Sequence, residues 1–397
     1  MQQRFKTLDT LLQSHQALWR FEPFFQSLNA QLPWAEQHPE LCEWLNSLTP
    51  EQIEFYKADT FTLVDKVSRY LPDIQSLPSL TTLERTPLSG IELERGIDAG
   101  IPGRKLTQIV SMGEAALAHH KGVEWLEWCA GKGFLGRILA SQSQQKVTSF
   151  EYQPSLCESG QADANRQGLP MMFVEGDALV DEAERVFNSR QHAVALHACG
   201  DLHVSLIKKG VKHKLPAMTI SPCCYHLTQS QNYEALSLLG KASTLALTKS
   251  ELRIPLQETV TGGERVKRHR FEEMSFRLGL DLLLREECGF EHYEPVPSIK
   301  KSMLSEGFNA FCRWAEEQKQ LTLPDVDFNH YLALGEKRYW HMERMSLVQQ
   351  VFRRGLEFWL VLDKAMYLEQ EGYKVSIEEF CAKSITPRNI LIQAMKL

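Results

Sequence analysis

Two groups of residues in this chain have types and spacings that could do chemistry together. The first is Gly131-Lys132-Gly133-Phe134-Leu135-Gly136, which follows an apolar, strand-like stretch at 123–128 and opens a helix-like stretch through Ile138 and Leu139. In a strand-turn-helix unit, glycines in that place let the backbone come close to a bound nucleotide cofactor, a dinucleotide or S-adenosylmethionine alike. The acids around the turn discriminate. Glu151 ends the next strand-like stretch, about 20 residues past the glycines, where such folds bind ribose hydroxyls, and it suits either cofactor. Glu127 sits in the last turn of the first strand, four residues before Gly131. A carboxylate there complements an ammonium and a sulfonium and would repel a pyrophosphate. Asp177, behind a third strand-like stretch at 171–174, is placed to accept a hydrogen bond from an adenine amino group. Each acid alone could be a solvated strand end; as an ordered set they favour the methyl donor.

The second group closes two further strands. His197-Ala198-Cys199-Gly200-Asp201 follows the stretch 193–196, and Ser221-Pro222-Cys223-Cys224-Tyr225-His226 follows 217–220. Cys129 stands two residues after Glu127.

The elements needed to position these residues can be read from periodicity. Apolar residues recur at helical spacing in Leu8, Leu11, Leu12 and Leu18 and in Phe61, Leu63, Val64 and Val67, so residues 1–95 are expected to form a helical N-terminal region. An amphipathic helix is expected from Gly103 to His120, with Arg104 and Lys105 at its start. Helices are also expected over 229–240, 268–288 and 334–371, and a last strand over 390–396. The predicted boundaries are a core over 96–250, a helical acceptor lobe over 251–385 and the core's last strand in 386–397.

The glycine turn and the two cysteine-containing strings, in this order, resemble the methyltransferase-domain family that includes methyltransferase-like proteins with "HACGD" and "CCYH" signatures and the glutathione S-transferase C-terminal-domain-containing protein. The similar part spans roughly 100–228, and Pro387-Arg388-Asn389 with Ile390 to Ile392 resembles that family's last strand. The resemblance implies an α/β class I methyltransferase fold, a Rossmann-like sheet of order 3-2-1-4-5-7-6, and S-adenosylmethionine as cofactor. It implies donor-binding roles for Glu127, Cys129, Gly131, Gly133, Glu151, Asp177 and His197, and leaves the substrate unassigned. The chain departs from the usual glycine turn at Cys129, where a glycine is customary.

In that sheet order, strands one, four and five are neighbours about 4.8 Å apart, so their terminal cysteines and His197 converge. Three chemical readings compete for Asp201, Cys223, Cys224, Tyr225 and His226. They could shape an acceptor pocket with Tyr225 stacking on a planar substrate and Asp201 or His226 orienting the acceptor or taking its proton. A cysteine thiolate could attack C6 of a pyrimidine. Cys199, Cys223, Cys224, His197 and His226 could bind zinc. Vicinal cysteines seldom share one ion and no C-x-x-C scaffold is present, so no metal is carried forward. The plain alternative is that buried thiols pack as small apolar groups, and that Asp201 caps a helix beginning at Leu202.

Composition bounds the rest. At 397 residues the chain exceeds one usual domain. No apolar run reaches the roughly 18 residues that span a bilayer, and the first residues lack the apolar segment of a secretory signal. Nine cysteines, an odd number, argue for a reducing compartment, so a cytoplasmic location is expected. A net charge of −6 weighs against a uniformly phosphate-tracking surface. Arg265-Val266-Lys267-Arg268-His269-Arg270 is the one dense basic cluster, a solvated helix end or a phosphate contact. RNA is the leading acceptor class on that cluster, with a protein or small molecule as rival and a noncatalytic binding module as the alternative of another kind.

Overall fold

The computed structural model describes residues 1–257 and 263–397, and at His197 the backbone only. Seven strands form one sheet in the order β3-β2-β1-β4-β5-β7-β6, which is the order of a Rossmann-like methyltransferase sheet. In chain order, α1 (Gly103–Ala118) leads into β1 (Glu124–Trp128), followed by α2 (Phe134–Ser143), β2 (Val147–Glu151), α3 (Pro154–Arg166) and β3 (Met171–Glu175). The order continues with β4 (Gln191–Cys199), α4 (Asp201–Lys212) and β5 (Ala217–Cys223). Two long helices follow, α5 (Glu264–Cys288) and α6 (Phe328–Gln370), before β6 (Tyr373–Glu379) and β7 (Ile390–Lys396). β1 to β5 are parallel, whereas β7 runs antiparallel to β5 and β6.

The strands are apolar runs because the parallel sheet is covered on both faces. All five residues of β1 and all five of β2 are buried. Trp125, Val147, Val194 and Leu391 from the sheet pack with Ile109, Met112, Leu135 and Ile138 from α1 and α2 in one core. Trp128 stacks on Phe150 at 4.8 Å, and its indole N–H donates to the Leu202 carbonyl at 2.9 Å, joining β1 to the start of α4.

The chain divides into two compact units. One comprises Met1–Ser14, Ser76–Val260 and Arg353–Leu397, and the other His15–Gln75 and Thr261–Phe352. The first contains the whole sheet. The second is helical, with a core of its own in which Phe276, Leu280, Leu283, Phe308, Phe311 and Tyr331 meet. No helix among the described residues is long and apolar enough to cross a membrane.

Three expectations change. The stretch 229–240 is not a helix; only Leu238–Ala242 is helical. Its backbone is captured elsewhere: the buried Asp363 carboxylate accepts from the N–H of Leu236 and of Ser237, from the Ser237 hydroxyl and from Tyr233. The sheet order implies a strand before the last, and it proves to be β6, a half-buried edge strand that begins three residues after α6. Helix α4 starts at Asp201, not Leu202, with Gly200 as its N-cap and no side-chain cap.

Candidate functional site

The carboxyl end of β1 turns sharply. Cys129 has φ 56°, Gly131 φ 59° and Gly133 φ 70°, all in the left-handed region where glycine is at ease and other residues are strained. The three glycines of the turn differ in what they face. A Cβ on Gly133 would meet the Phe173 ring, and one on Gly136 would run into the Glu127 carboxylate. A Cβ on Gly131 would meet nothing within 4 Å. Gly131 therefore borders open space, while Gly133 and Gly136 let the helix close onto the strands.

Glu151 lies across that space. It is buried, accepts the Gly131 N–H at 2.8 Å with one oxygen and the Gln153 N–H at 3.0 Å with the other. Each oxygen keeps a second lone pair for a ribose hydroxyl. Asp177 accepts the Leu179 N–H at 2.8 Å through Oδ1; its other oxygen has no hydrogen bond among the described residues. Gly176 N–H donates to the Glu151 carbonyl at 3.0 Å, so the ends of β2 and β3 are joined there.

Glu127 is placed differently from its expected role beside a positive charge. It lies beneath the turn, where it accepts the Gly136 N–H at 2.9 Å and the Ser149 hydroxyl at 2.7 Å. Burial pushes its carboxyl up to about 7, against the pull of those two hydrogen bonds. Its visible work is to tie α2 and β2 to β1. The Cys129 thiol is pushed up by burial and then by the nearby Glu151, Cys199 and Asp177, which keeps it protonated.

The ends of β4 and β5 bring the second group together. The Cys199 and Cys223 sulfurs lie 3.5 Å apart, and with Cys224 the three sulfurs all fall within 4.8 Å of one another. The Cys224 thiol is held far below its ordinary range by hydrogen bonds with Cys199 and Cys223, while the Cys223 thiol is pushed up by its hydrogen bonds to Cys199 and Cys224 and by burial. The His226 imidazole is pushed down by burial and by Arg253, so it is neutral at pH 7, and its Nδ1 is buried with no hydrogen-bond partner. None of the nine cysteines is in a disulfide.

Two residues of this group occupy other positions than stacking and capping require. Tyr225 is buried; its ring lies 5.2 Å from the Lys364 ammonium and edge-on to His203 at 6.0 Å. Asp201 accepts the Gln229 N–H at 2.8 Å, anchoring the loop after β5 to the start of α4. The side chain of His197 lies outside the described residues.

A cavity of about 490 Å³ opens beside α4, lined by Asp201, His203, Lys208, Tyr225, Tyr233 and Lys364 among others. The glycine turn takes no part in its lining, so this cavity is separate from the space at Gly131. Sequence reading missed His203 and Lys364. Burial pushes His203 down to about 3; its Nδ1–H donates to the Ala198 carbonyl at 2.9 Å and its Nε2 is left without a partner. The i,i+2 relation of His203 to Asp201 was the available signal; nothing in the sequence signals Lys364, more than a hundred residues away.

Beside the open space at Gly131, the carboxylate oxygens of Glu151 and Asp177 suit in polarity the ribose hydroxyls and adenine amino group of S-adenosylmethionine. A family described as a methyltransferase domain matches residues 104–231. No curated protein matches the sequence. Among solved structures, the chain is similar to a tRNA (uracil-54, C5)-methyltransferase of Pyrococcus abyssi in complex with S-adenosyl-L-homocysteine, at 18% identity over 28% of each chain and a TM-score of 0.24. It is also similar to an SAH-bound methyltransferase of Podospora anserina, at 9% identity over 78% of this chain and 100% of that one, TM-score 0.32. A SAM-dependent methyltransferase from Agrobacterium tumefaciens is 11% identical over 39% of this chain and 51% of its own, TM-score 0.25. The chain thus spans well under two thirds of the first of these, and likeness at such scores adds nothing to the sheet order. The family match begins in α1 and ends beyond β5, so it covers the part of the chain that carries the glycine turn and the strand-end acids, and those residues are similar to a methyltransferase domain.

Proposed function

We propose that the protein methylates an RNA base, with the donor held over Gly131 and the acceptor entering beside the ends of β4 and β5. When bound, S-adenosylmethionine supplies an electrophilic methyl group on a sulfonium. Gly131 keeps the turn low enough for close approach, Gly133 lets the helix pack against Phe173 beneath it, Glu151 holds the ribose hydroxyls and the unpartnered oxygen of Asp177 accepts from the adenine amino group. Cys129 shapes the start of the turn as a neutral thiol, and Glu127 keeps the turn in place from below. In-line displacement needs position more than covalent help, and the Asp201 carboxylate, which lines the cavity, is a group that can orient an acceptor N–H.

The observation that carries an RNA acceptor is the exposed basic run at the start of α5, where Arg265, Lys267, Arg268 and Arg270 are all exposed. Lys267 and Arg268 pair with Glu264 and Glu272 at 3.0 and 3.7 Å, exposed contacts that phosphates can displace. The cavity beside α4 favours a second reading, a small polar acceptor, because the unpartnered Nε2 of buried His203 asks for a donor that a compact ligand can bring. A cytoplasmic location accords with nine cysteines and no disulfide.

The test is transfer of labelled methyl from S-adenosylmethionine to fractionated cellular RNA, protein and small molecules, with donor affinity measured in parallel by calorimetry. We expect ribonuclease-sensitive label that drops with Asp177→Ala and with the combined Arg265→Ala, Lys267→Ala, Arg268→Ala variant. Label confined to protein or small molecules would refute the RNA acceptor; donor binding without turnover on any fraction would indicate a binding module instead.

A further inference from the structure

We propose that Cys199, Cys223, Cys224 and His226 hold one zinc ion at the carboxyl ends of β4 and β5. Two local irregularities create the cluster. β4 and β5 pair regularly up to Leu196 opposite Ser221, and the next pair is Cys199 opposite Cys223. Three steps on β4 thus answer two on β5, a bulge that re-aims a side chain and brings the Cys199 sulfur to 3.5 Å from that of Cys223.

The second irregularity is Cys224, at φ 47°. Consecutive residues of an extended strand project to opposite faces, which is why vicinal cysteines seldom share an ion. A left-handed residue directly after β5 breaks that alternation, and the three sulfurs come within 4.8 Å of one another. Thiolates around a tetrahedral zinc, at a Zn–S distance of about 2.3 Å, stand about 3.8 Å apart, so the cluster needs little adjustment to close on an ion. The geometric objection raised by the sequence is thereby removed.

His226 stands outside the cluster of three sulfurs and would have to turn toward it to take the fourth position. Its Nδ1 is buried without a hydrogen-bond partner, two residues beyond Cys224, and a buried unpaired ring nitrogen otherwise has a cost and no compensation. Three thiolates with one imidazole form a closed set that prefers zinc to the hard cations.

The loop that carries the ligands is already held. Gly200 N–H donates to the Cys223 carbonyl at 3.0 Å, Asp201 N–H to the Leu227 carbonyl at 3.0 Å and Leu227 N–H to the Cys224 carbonyl at 2.9 Å. Gly200, at φ 55°, has no room for a Cβ, which would run into the Leu227 carbonyl. Zinc would lock β4's bulge to the loop after β5 and fix the wall past which an acceptor must pass. The inference stands apart from the identity of the acceptor, because its readout is metal content and spectrum rather than turnover.

The full-length protein, expressed with zinc in the medium and purified with reductant and without chelator, should contain about one zinc per chain by elemental mass spectrometry. Replacing it with Co2+ should produce the near-ultraviolet thiolate-to-cobalt absorption, weakened in Cys199→Ser, Cys223→Ser and Cys224→Ser and unchanged in Cys157→Ser. His226→Ala should lower zinc affinity about tenfold or more. Should the serine variants fail to fold, the wild-type chain still decides: chelation should expose three additional thiols to Ellman's reagent. A chain that takes up neither zinc nor cobalt, a Cys199–Cys223 disulfide in the reduced preparation, or full metal retention in Cys224→Ser would overturn the assignment. An unchanged affinity in His226→Ala would overturn the fourth ligand.

Discussion

The two ends of the same sheet edge are built on opposite terms. On the side of β1 and β2, the strand-end carboxylates are held by the fold itself: Glu127 takes Gly136 N–H and Ser149, and Glu151 takes Gly131 and Gln153 N–H. On the side of β4 and β5, three sulfurs crowd together and the ring nitrogens His203 Nε2 and His226 Nδ1 are buried without partners. A satisfied carboxylate frame keeps a turn rigid for a cofactor whose shape does not vary. Unsatisfied buried groups mark a surface completed by something else, whether ion or acceptor.

The largest expected effect tests whether Glu127 serves the fold. Its carboxyl is raised from 4.5 to about 7 by burial. For an acid raised on folding, the native chain holds the proton more tightly, so this contribution to stability is full below pH 4.5 and is lost as pH rises through 7. Glu127→Gln keeps an acceptor oxygen for one of the two hydrogen bonds, replaces the other oxygen with an amide N–H that the Ser149 hydroxyl can accept, and should remove about 3 kcal/mol of pH dependence between pH 4.5 and 8. Urea unfolding at pH 5 and pH 8 measures it; parallel behaviour of variant and wild type would show that the carboxyl titrates normally.

Next in size, two glycines of one turn should respond in opposite ways. Gly136→Ala places a methyl group against Glu127 and should lower stability by about 2 kcal/mol. Gly131→Ala enters open space; it should cost about 1 kcal/mol for its left-handed backbone yet weaken S-adenosylmethionine binding far more than Gly136→Ala does. Melting curves and calorimetric titration of both variants separate the effects, and equal donor affinity in the two would mean that the space over Gly131 is not the cradle.

Smaller again, Glu151→Gln should weaken donor binding about tenfold, about 1.4 kcal/mol, by removing charge while keeping shape. At the bottom of the scale, Cys224→Ser should leave donor affinity within about twofold, since the roles proposed for that edge concern the acceptor and metal. A large loss of donor affinity in Cys224→Ser would merge the two edges into one site.

Local spacing was enough to locate the glycine turn, the five parallel strands, α1 and the last strand, because each is written in contiguous residues whose period or turn chemistry is its own cause. The strand-end acids were legible for the same reason: Glu151 directly follows Phe150 at the end of a strand-like run, and Asp177 stands two residues past Glu175, where the next one ends. Helix 229–240 was misread because Asp363, more than a hundred residues away, takes its backbone N–H groups, and β6 was missed although Tyr373, Val375 and Ile377 alternate with Lys374, Ser376 and Glu378 at the period of a strand. The sequence by itself determined where the glycine turn and the strand-end acids fall along the chain and that cysteines would gather at neighbouring strand ends. Only the tertiary structure decided that Glu127 faces the turn and not the cleft, that His203 and Lys364 line one cavity, and that a bulge and a left-handed residue turn three sulfurs together. Side-chain direction at a strand end is set by the register with the neighbouring strand, and that register is a property of the assembled sheet.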